Sequence, residues 1–151
     1  MSQPSQLLRP RANTLGVLVR DSYILLEEQT GRHSGGTDNF YRPIGGTIEL
    51  GERSDETLIR EYQEEINAKI EIKSYIACLE NIYTIENVTG HEITQLYEVK
   101  FMDHALYQKE EFQVTEPGKT STAKWIPLQK VLNDEIILYP IGLKEILQKN
   151  Y

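Results

Sequence analysis

An α+β or α/β sandwich is the fold class the sequence predicts, and three observations carry it. Runs rich in β-branched and aliphatic residues stand before and after one central stretch of helical periodicity, a second helical pattern closes the chain, and turn-forming residues separate the runs. A length of 151 residues suits one core, so residues 1–151 are expected to form a single domain without internal repeats or linkers.

Residues 13–20 and 23–28 read as two strands joined at Asp21-Ser22, a hairpin. Residues 30–39, a cluster of Gly, Ser, Thr and Asp, read as a mobile surface loop. Residues 40–44 read as a short strand that Gly45-Gly46 ends. Residues 54–66 carry a helix start signal, with Ser54 as N-cap and Asp55 and Glu56 in the first turn, where the helix dipole favours acids. At about 100° per residue, Leu58, Ile59, Tyr62 and Ile66 fall within roughly 100° of arc and are expected to be buried. Asn67 then suits the left-handed closing position. Residues 69–83 and 93–102 flank a polar stretch and predict a long antiparallel hairpin. Residues 108–120, with Pro117-Gly118, read as a loop, residues 122–126 as a strand, and residues 140–149 as a helix with Pro140 in its first turn.

The charge balance, 16 basic against 23 acidic side chains for a net −7, excludes the basic stripe that polymeric nucleic acid requires. The longest apolar run, residues 15–19, is far below the roughly 20 residues of a membrane span. No apolar segment in residues 1–14 could form the core of a secretory signal, so a cytoplasmic location is expected. The lone Cys78 cannot form an intrachain disulfide and is expected as a small buried hydrophobe.

The chemistry concentrates in residues 45–68. Arg60, Glu61, Glu64 and Glu65 fall on an arc of roughly 140° opposite the apolar face. An acidic helix face is commonly just the solvated one. Here, however, Glu61, Glu64 and Glu65 stack like charges at i, i+3 and i+4, which destabilises an isolated helix. Hard divalent cations on oxygen ligands would compensate, and the Gly-Gly turn before the helix offers an unobstructed backbone carbonyl. Arg60, four residues before Glu64 and beside Glu61, can hold one carboxylate in orientation.

Gly46, Glu52, Arg60, Glu61, Glu64 and Glu65 stand at the spacing G-x5-E-x7-R-E-x2-E-E, and with this the segment resembles the signature of the Nudix (MutT-like) hydrolases. Chance agreement at all six is on the order of 10⁻⁷ per starting position. Glu49 and Gly51 match the opening common in that family. Tyr62 stands where an aliphatic residue is usual, Ala68 where a larger one is, and Asn67 where Gly closes the motif. The resemblance implies a three-layer α/β/α sandwich with a mixed central sheet and the signature loop-helix. It also implies hydrolysis of a pyrophosphate linkage in a nucleoside diphosphate derivative (a nucleoside triphosphate, a nucleotide sugar or similar) with Mg²⁺ or Mn²⁺.

Carried over residue by residue, the resemblance makes Glu61, Glu64, Glu65 and the Gly45 carbonyl metal ligands. Arg60 becomes the residue that orients Glu61, and Glu52 a supporting or second-metal carboxylate. For the general base, Glu61 is the first candidate and Glu92 the second, with Glu110, Glu111 and Glu116 behind them. His33, His91 and His104 show no ligand spacing and are expected in loops or at the surface. Tyr41, Tyr83, Tyr97, Trp125 and Tyr139 are candidates to stack on a base, and Arg11 and Arg42 to reach phosphate oxygens. The proline that often accompanies ADP-ribose specificity is missing around Tyr83, and no tyrosine marker for dinucleoside polyphosphates is found. The expected partner is a small nucleoside diphosphate derivative, with a homodimer possible and neither polymeric nucleic acid nor a membrane involved. The alternative functions are a non-catalytic nucleotide-binding or sensor module and a structural acidic-helix protein without ligand.

Overall fold

The structure is a computed structural model that describes residues 9–31, 33–36 and 38–151. Its first strand, β1 (Arg11–Val17), does not pair with the strand that follows it. It runs parallel to β7 (Val88–Phe101), with Leu15 opposite Leu96, and antiparallel to β5 (Gly45–Thr47). β7 in turn pairs with β6 (Ile70–Ile85), which gives a mixed four-stranded sheet in the order β5-β1-β7-β6. The expected first hairpin shrinks to β2 (Val19–Arg20) against the start of β3 (Tyr23–Gln29), with Asp21 in the left-handed region at its turn. The apolar run through residues 15–19 lacks the alternation of a one-sided strand. Val17 and Leu18, both fully buried, face two different cores, and the chain passes from one sheet to the other between them.

The second sheet contains β2, β3, β9 (Lys119–Pro127) and β8 (Glu111–Glu116), with β4 (Phe40–Arg42) on the other side of β3. Residues 108–120 are therefore not a loop. Phe112 and Val114 are buried between the exposed Glu111, Gln113 and Thr115, a period of two that makes a polar sequence a strand, and Pro117-Gly118 is the turn of a hairpin. Nor does Gly45-Gly46 end a strand: β5 lies so close to β1 that a β-carbon on Gly45 would collide with the Thr14 carbonyl. The expected mobile loop is tied back on itself by a bridge between His33 and Gly36.

Helix α1 (Ser54–Ile66) has Arg53 as its N-cap, whose backbone N–H donates to Glu56 at 2.8 Å, while the Ser54 hydroxyl pairs with that of Tyr97. Asn67 closes it in the left-handed conformation, φ 54° and ψ 44°, as expected. Leu58, Tyr62 and Ile66 pack against Leu25, Ile44, Phe101, Phe112 and Trp125. Ile59 does not join them and is exposed. On the opposite side, α2 (Leu128–Leu132) and α3 (Leu143–Asn150) cover Leu15, Val17, Ile24, Leu26 and Leu96. Along β3, Leu25 thus faces α1 while Ile24 and Leu26 face α2 and α3, and the result is an α/β/α sandwich.

The short α2 was not expected, and α3 starts after Gly142, at φ 102°, rather than at Pro140. The long hairpin holds, closed by Glu86 and Asn87, both at positive φ, the requirement of the tightest hairpin turn. Cys78 lies on β6 and is exposed, not buried. No helix among the described residues is long and apolar enough to cross a membrane.

Candidate active site

Helical geometry places Glu65 only about 20° from Leu58 in projection, so burying Leu58 and Tyr62 carries Glu65 inward. Glu65 is 7% exposed whereas Ile59 is 44% exposed; the buried face of α1 is rotated toward the acid. Glu27 arrives by a similar logic. Two residues beyond Leu25 on β3, it points to the α1 side and is 1% exposed. Glu116, at the end of β8, completes a trio whose carboxylate oxygens lie within 4.8 Å of one another.

This trio is under-compensated. The Ser121 hydroxyl donates to Glu27, yet one oxygen each of Glu65 and Glu116, Oε1, is buried without a hydrogen-bond partner. Burial first, then a hydrogen bond with Glu61 and the charges of Glu61, Glu116 and Glu27, push the Glu65 carboxyl well above the usual range. Glu27 is pushed up as well, by burial and by a hydrogen bond with Glu116, against the opposing pull of Ser121 and Arg42. Orphaned carboxylate oxygens in an all-oxygen set suit a hard divalent cation, which could be coordinated by Glu27, Glu65 and Glu116. Glu61 borders the trio and covers Gly46 so closely that a β-carbon there would strike its carboxylate.

Arg60 gathers several of the signature acids around its guanidinium. Its Nε and Nη2 donate to both oxygens of Glu52 at 2.7 and 3.0 Å, and its Nη1 to Glu61 at 3.2 Å and Glu64 at 3.1 Å. Glu49 lies 3.6 Å from the same guanidinium. Glu52 also accepts the Thr57 hydroxyl at 2.8 Å, and these bonds, Arg60 foremost, hold its carboxyl down at about 2. Glu52 therefore clamps the arginine, and the arginine fixes Glu61.

A cavity of about 300 Å³ adjoins this site, lined by Phe40, Ile82, Ile85, Tyr139 and Ile141 together with Arg11, Asn13, Arg42, Tyr83 and Glu92. Glu92 is not a free strand-end acid: it accepts from Arg11 at 3.1 Å and from the Tyr83 hydroxyl at 3.2 Å. Asn13, nearly fully buried, accepts the Thr94 hydroxyl at 2.6 Å. His33, expected in a loop or at the surface, lies in the loop between β3 and β4 but is held at the cavity wall, with Nδ1 2.7 Å from the Tyr139 hydroxyl and Nε2 2.9 Å from the Asp38 carbonyl. The other aromatic candidates lie elsewhere. Tyr41 donates to Glu28 at 2.6 Å, Tyr97 meets Ser54, and Trp125 sits in the core with its indole N–H on the Lys109 carbonyl. Arg42 belongs to both places, lining the cavity and lying within 3.8 Å of Glu27 and 3.7 Å of Glu116.

A family model of the NUDIX domain matches residues 9–147. The chain belongs to the Nudix family. Membership assigns it, at a coarse level, to the hydrolases acting on phosphate-containing substrates. A comparison with curated protein sequences finds no match. Among solved structures, a NUDIX hydrolase from Nitrosomonas europaea is 15% identical with a TM-score of 0.67, the match covering 94% of this chain and 88% of the other. A MutT NUDIX hydrolase from Burkholderia pseudomallei is 20% identical with a TM-score of 0.64, over 93% and 97%. A MutT protein from Methanosarcina mazei Go1 is 13% identical with a TM-score of 0.65, over 93% of each chain. At these identities the likeness is one of Nudix fold.

Two members of the carboxylate trio are poorly legible in the sequence. Glu27 is not among the expected ligands: on a strand buried on both faces, nothing local distinguishes it from the adjacent Glu28. Glu116 ranked low because its segment read as a loop.

Proposed function

We propose that the chain hydrolyses the pyrophosphate linkage of a nucleoside diphosphate derivative with the help of Mg²⁺ or Mn²⁺. The observation that carries this reading is the sharing of Arg42 between a buried carboxylate trio with orphaned oxygens and a cavity at the small end of ligand-pocket sizes, roughly 300–1,000 Å³. Glu61, Glu64 and Glu65 on α1, with Glu27 and Glu116 from the second sheet, would hold the metal. When bound, that ion supplies charge neutralisation at the phosphoryl oxygens and a lower pKa for water.

The chain's own groups account for the rest of the reaction. Arg60, clamped by Glu52, fixes one oxygen of Glu61 and leaves the carboxylate to take the proton of the attacking water. The new bond forms between the water oxygen and phosphorus, and the bond to the bridging oxygen breaks with its electron pair leaving on the departing phosphate. Apolar side chains, Phe40 and Ile141 among them, receive the nucleoside, with Asn13 at the cavity wall.

The test is a panel of nucleoside triphosphates, nucleotide sugars, ADP-ribose, dinucleoside polyphosphates and coenzyme A, incubated with Mg²⁺ or with chelator and scored by product mass. Metal-dependent release of a nucleoside monophosphate or diphosphate is expected. Binding without turnover across the panel would replace the enzyme with a sensor module.

A further inference from the structure

Among the cations near the acidic trio, Arg42 is placed unlike a structural partner. It stands opposite Glu27 in the register of β3 and β4, so the two side chains share a face. Its Nε lies 3.8 Å from Glu27 and its Nη2 3.7 Å from Glu116, distances within ion-pair range but beyond hydrogen-bond range. Its planar donors thus face carboxylates without bonding them, and the same side chain, 30% exposed, lines the cavity beside Arg11. Arg60 provides the contrast, since it spends its donors on four bonds to three acids at 2.7–3.2 Å.

We propose that Arg42 and a divalent cation compete for the Glu27 and Glu116 carboxylates, so that cation binding turns the Arg42 guanidinium toward the cavity, where it binds the phosphate of the ligand. The idea rests on the metal-binding reading of the trio given above. Two cations cannot both lie against the same pair of carboxylates without mutual repulsion, and the phosphate entering the cavity offers the displaced guanidinium a bidentate acceptor. Arg42 then opposes the metal while no phosphate is bound and favours it afterwards. Metal and phosphate affinities are coupled through one side chain, and the coupling is reciprocal.

Calorimetric titration of the full chain tests this with Mn²⁺ alone, and with methylenediphosphonate added to the Mn²⁺-saturated protein. Arg42→Met is expected to bind Mn²⁺ alone roughly threefold tighter than wild type, because a competing charge is gone. The same variant is expected to bind methylenediphosphonate at least about tenfold more weakly, having lost a charge-assisted contact. Arg42→Lys, which keeps the charge without the fork, should match wild type for Mn²⁺ and still bind the diphosphonate more weakly. Should Arg42→Met not fold, Arg42→Gln replaces it with the same expectations. Mn²⁺ affinity that is unchanged or weaker without the Arg42 charge, or undiminished diphosphonate binding, would overturn the proposal. Glu65→Gln tests the underlying site separately: unchanged Mn²⁺ affinity in that variant would refute the metal reading itself, whatever Arg42 does.

Discussion

The hydroxyl of Tyr62 donates to the carbonyl oxygen of Gly16 at 3.2 Å, and a β-carbon at position 16 would lie 2.7 Å from that hydroxyl. The bulk of the tyrosine on this helix is thus accommodated by a glycine 46 positions earlier, on β1. Tyr62 is fully buried, and a phenol without its acceptor would be costly there.

Gly16→Ala should therefore destabilise the fold by about 1–3 kcal/mol, the usual range for overpacking a core. Tyr62→Phe should cost only about 1 kcal/mol, that of one buried hydrogen bond. Adding Tyr62→Leu to Gly16→Ala should recover part of the loss, as read from urea denaturation midpoints. A double variant no more stable than Gly16→Ala alone would show that the two positions do not compensate each other.

Stability should fall with rising pH when no divalent cation is available. The carboxyls of Glu27 and Glu65 are held above the ordinary value of 4.5 in the folded chain, so above that pH the unfolded chain sheds protons the native chain keeps. Their contribution is complete below 4.5 and is lost as pH climbs through the folded values. Glu52 and Glu28, held low by Arg60 and by Tyr41 respectively, act at more acid pH. In chelator, the melting temperature should drop between about pH 5 and about pH 9, and Glu65→Gln should flatten the drop and melt above wild type at the alkaline end. Mn²⁺ should reverse that order by stabilising wild type alone. A wild-type melting temperature that rises with pH in chelator would contradict the assignment.

Glu61→Gln and Glu92→Gln should separate in kinetics. At saturating Mg²⁺, loss of a positioned base lowers kcat by about 10²–10⁴-fold, and this is expected for Glu61. Glu92, paired with Arg11 and Tyr83 in the cavity wall, should affect KM, with kcat falling less than about tenfold. The reverse pattern would transfer the proton-accepting role from the helix to β7.

The signature helix was legible because local rules govern it: spacing brings Glu61 and Glu64 within reach of Arg60, and Asn67 announced its own left-handed φ of 54°. The buried face of the same helix differs from the apolar arc at its two edges. Summing apolar residues put Ile59 inside and Glu65 outside, whereas the core closes on Leu58, Tyr62 and Ile66, with Glu65 beside them. A buried acid is stabilised by partners from other strands, and no local pattern reveals them. Glu27 shows the same limit, since its adjacent twin Glu28 has the same chemistry and faces Tyr41 and Lys124 instead. The parallel pairing of β1 with β7 was equally hidden, because residues 81 apart in the chain, such as Arg11 and Glu92, meet only through the whole sheet.

A second long-range pairing, of β9 with β3 and β8, fixes when the acidic trio can exist during synthesis. Glu27 reaches its surroundings through β3, whose neighbour β9 lies about a hundred residues downstream, and Glu116 is held by the hairpin that β9 completes. Domains generally acquire such non-local contacts late, after loop closure has been overcome. A nascent chain that has produced α1 and β8 but not β9 carries Glu65 and Glu116 without the strand that pairs with both β3 and β8, so it lacks the assembled three-carboxylate cluster however well the helix itself has formed. Cation binding at the proposed site would then require β9, and Mn²⁺ added to chains truncated before Lys119 should leave them as protease-sensitive as before.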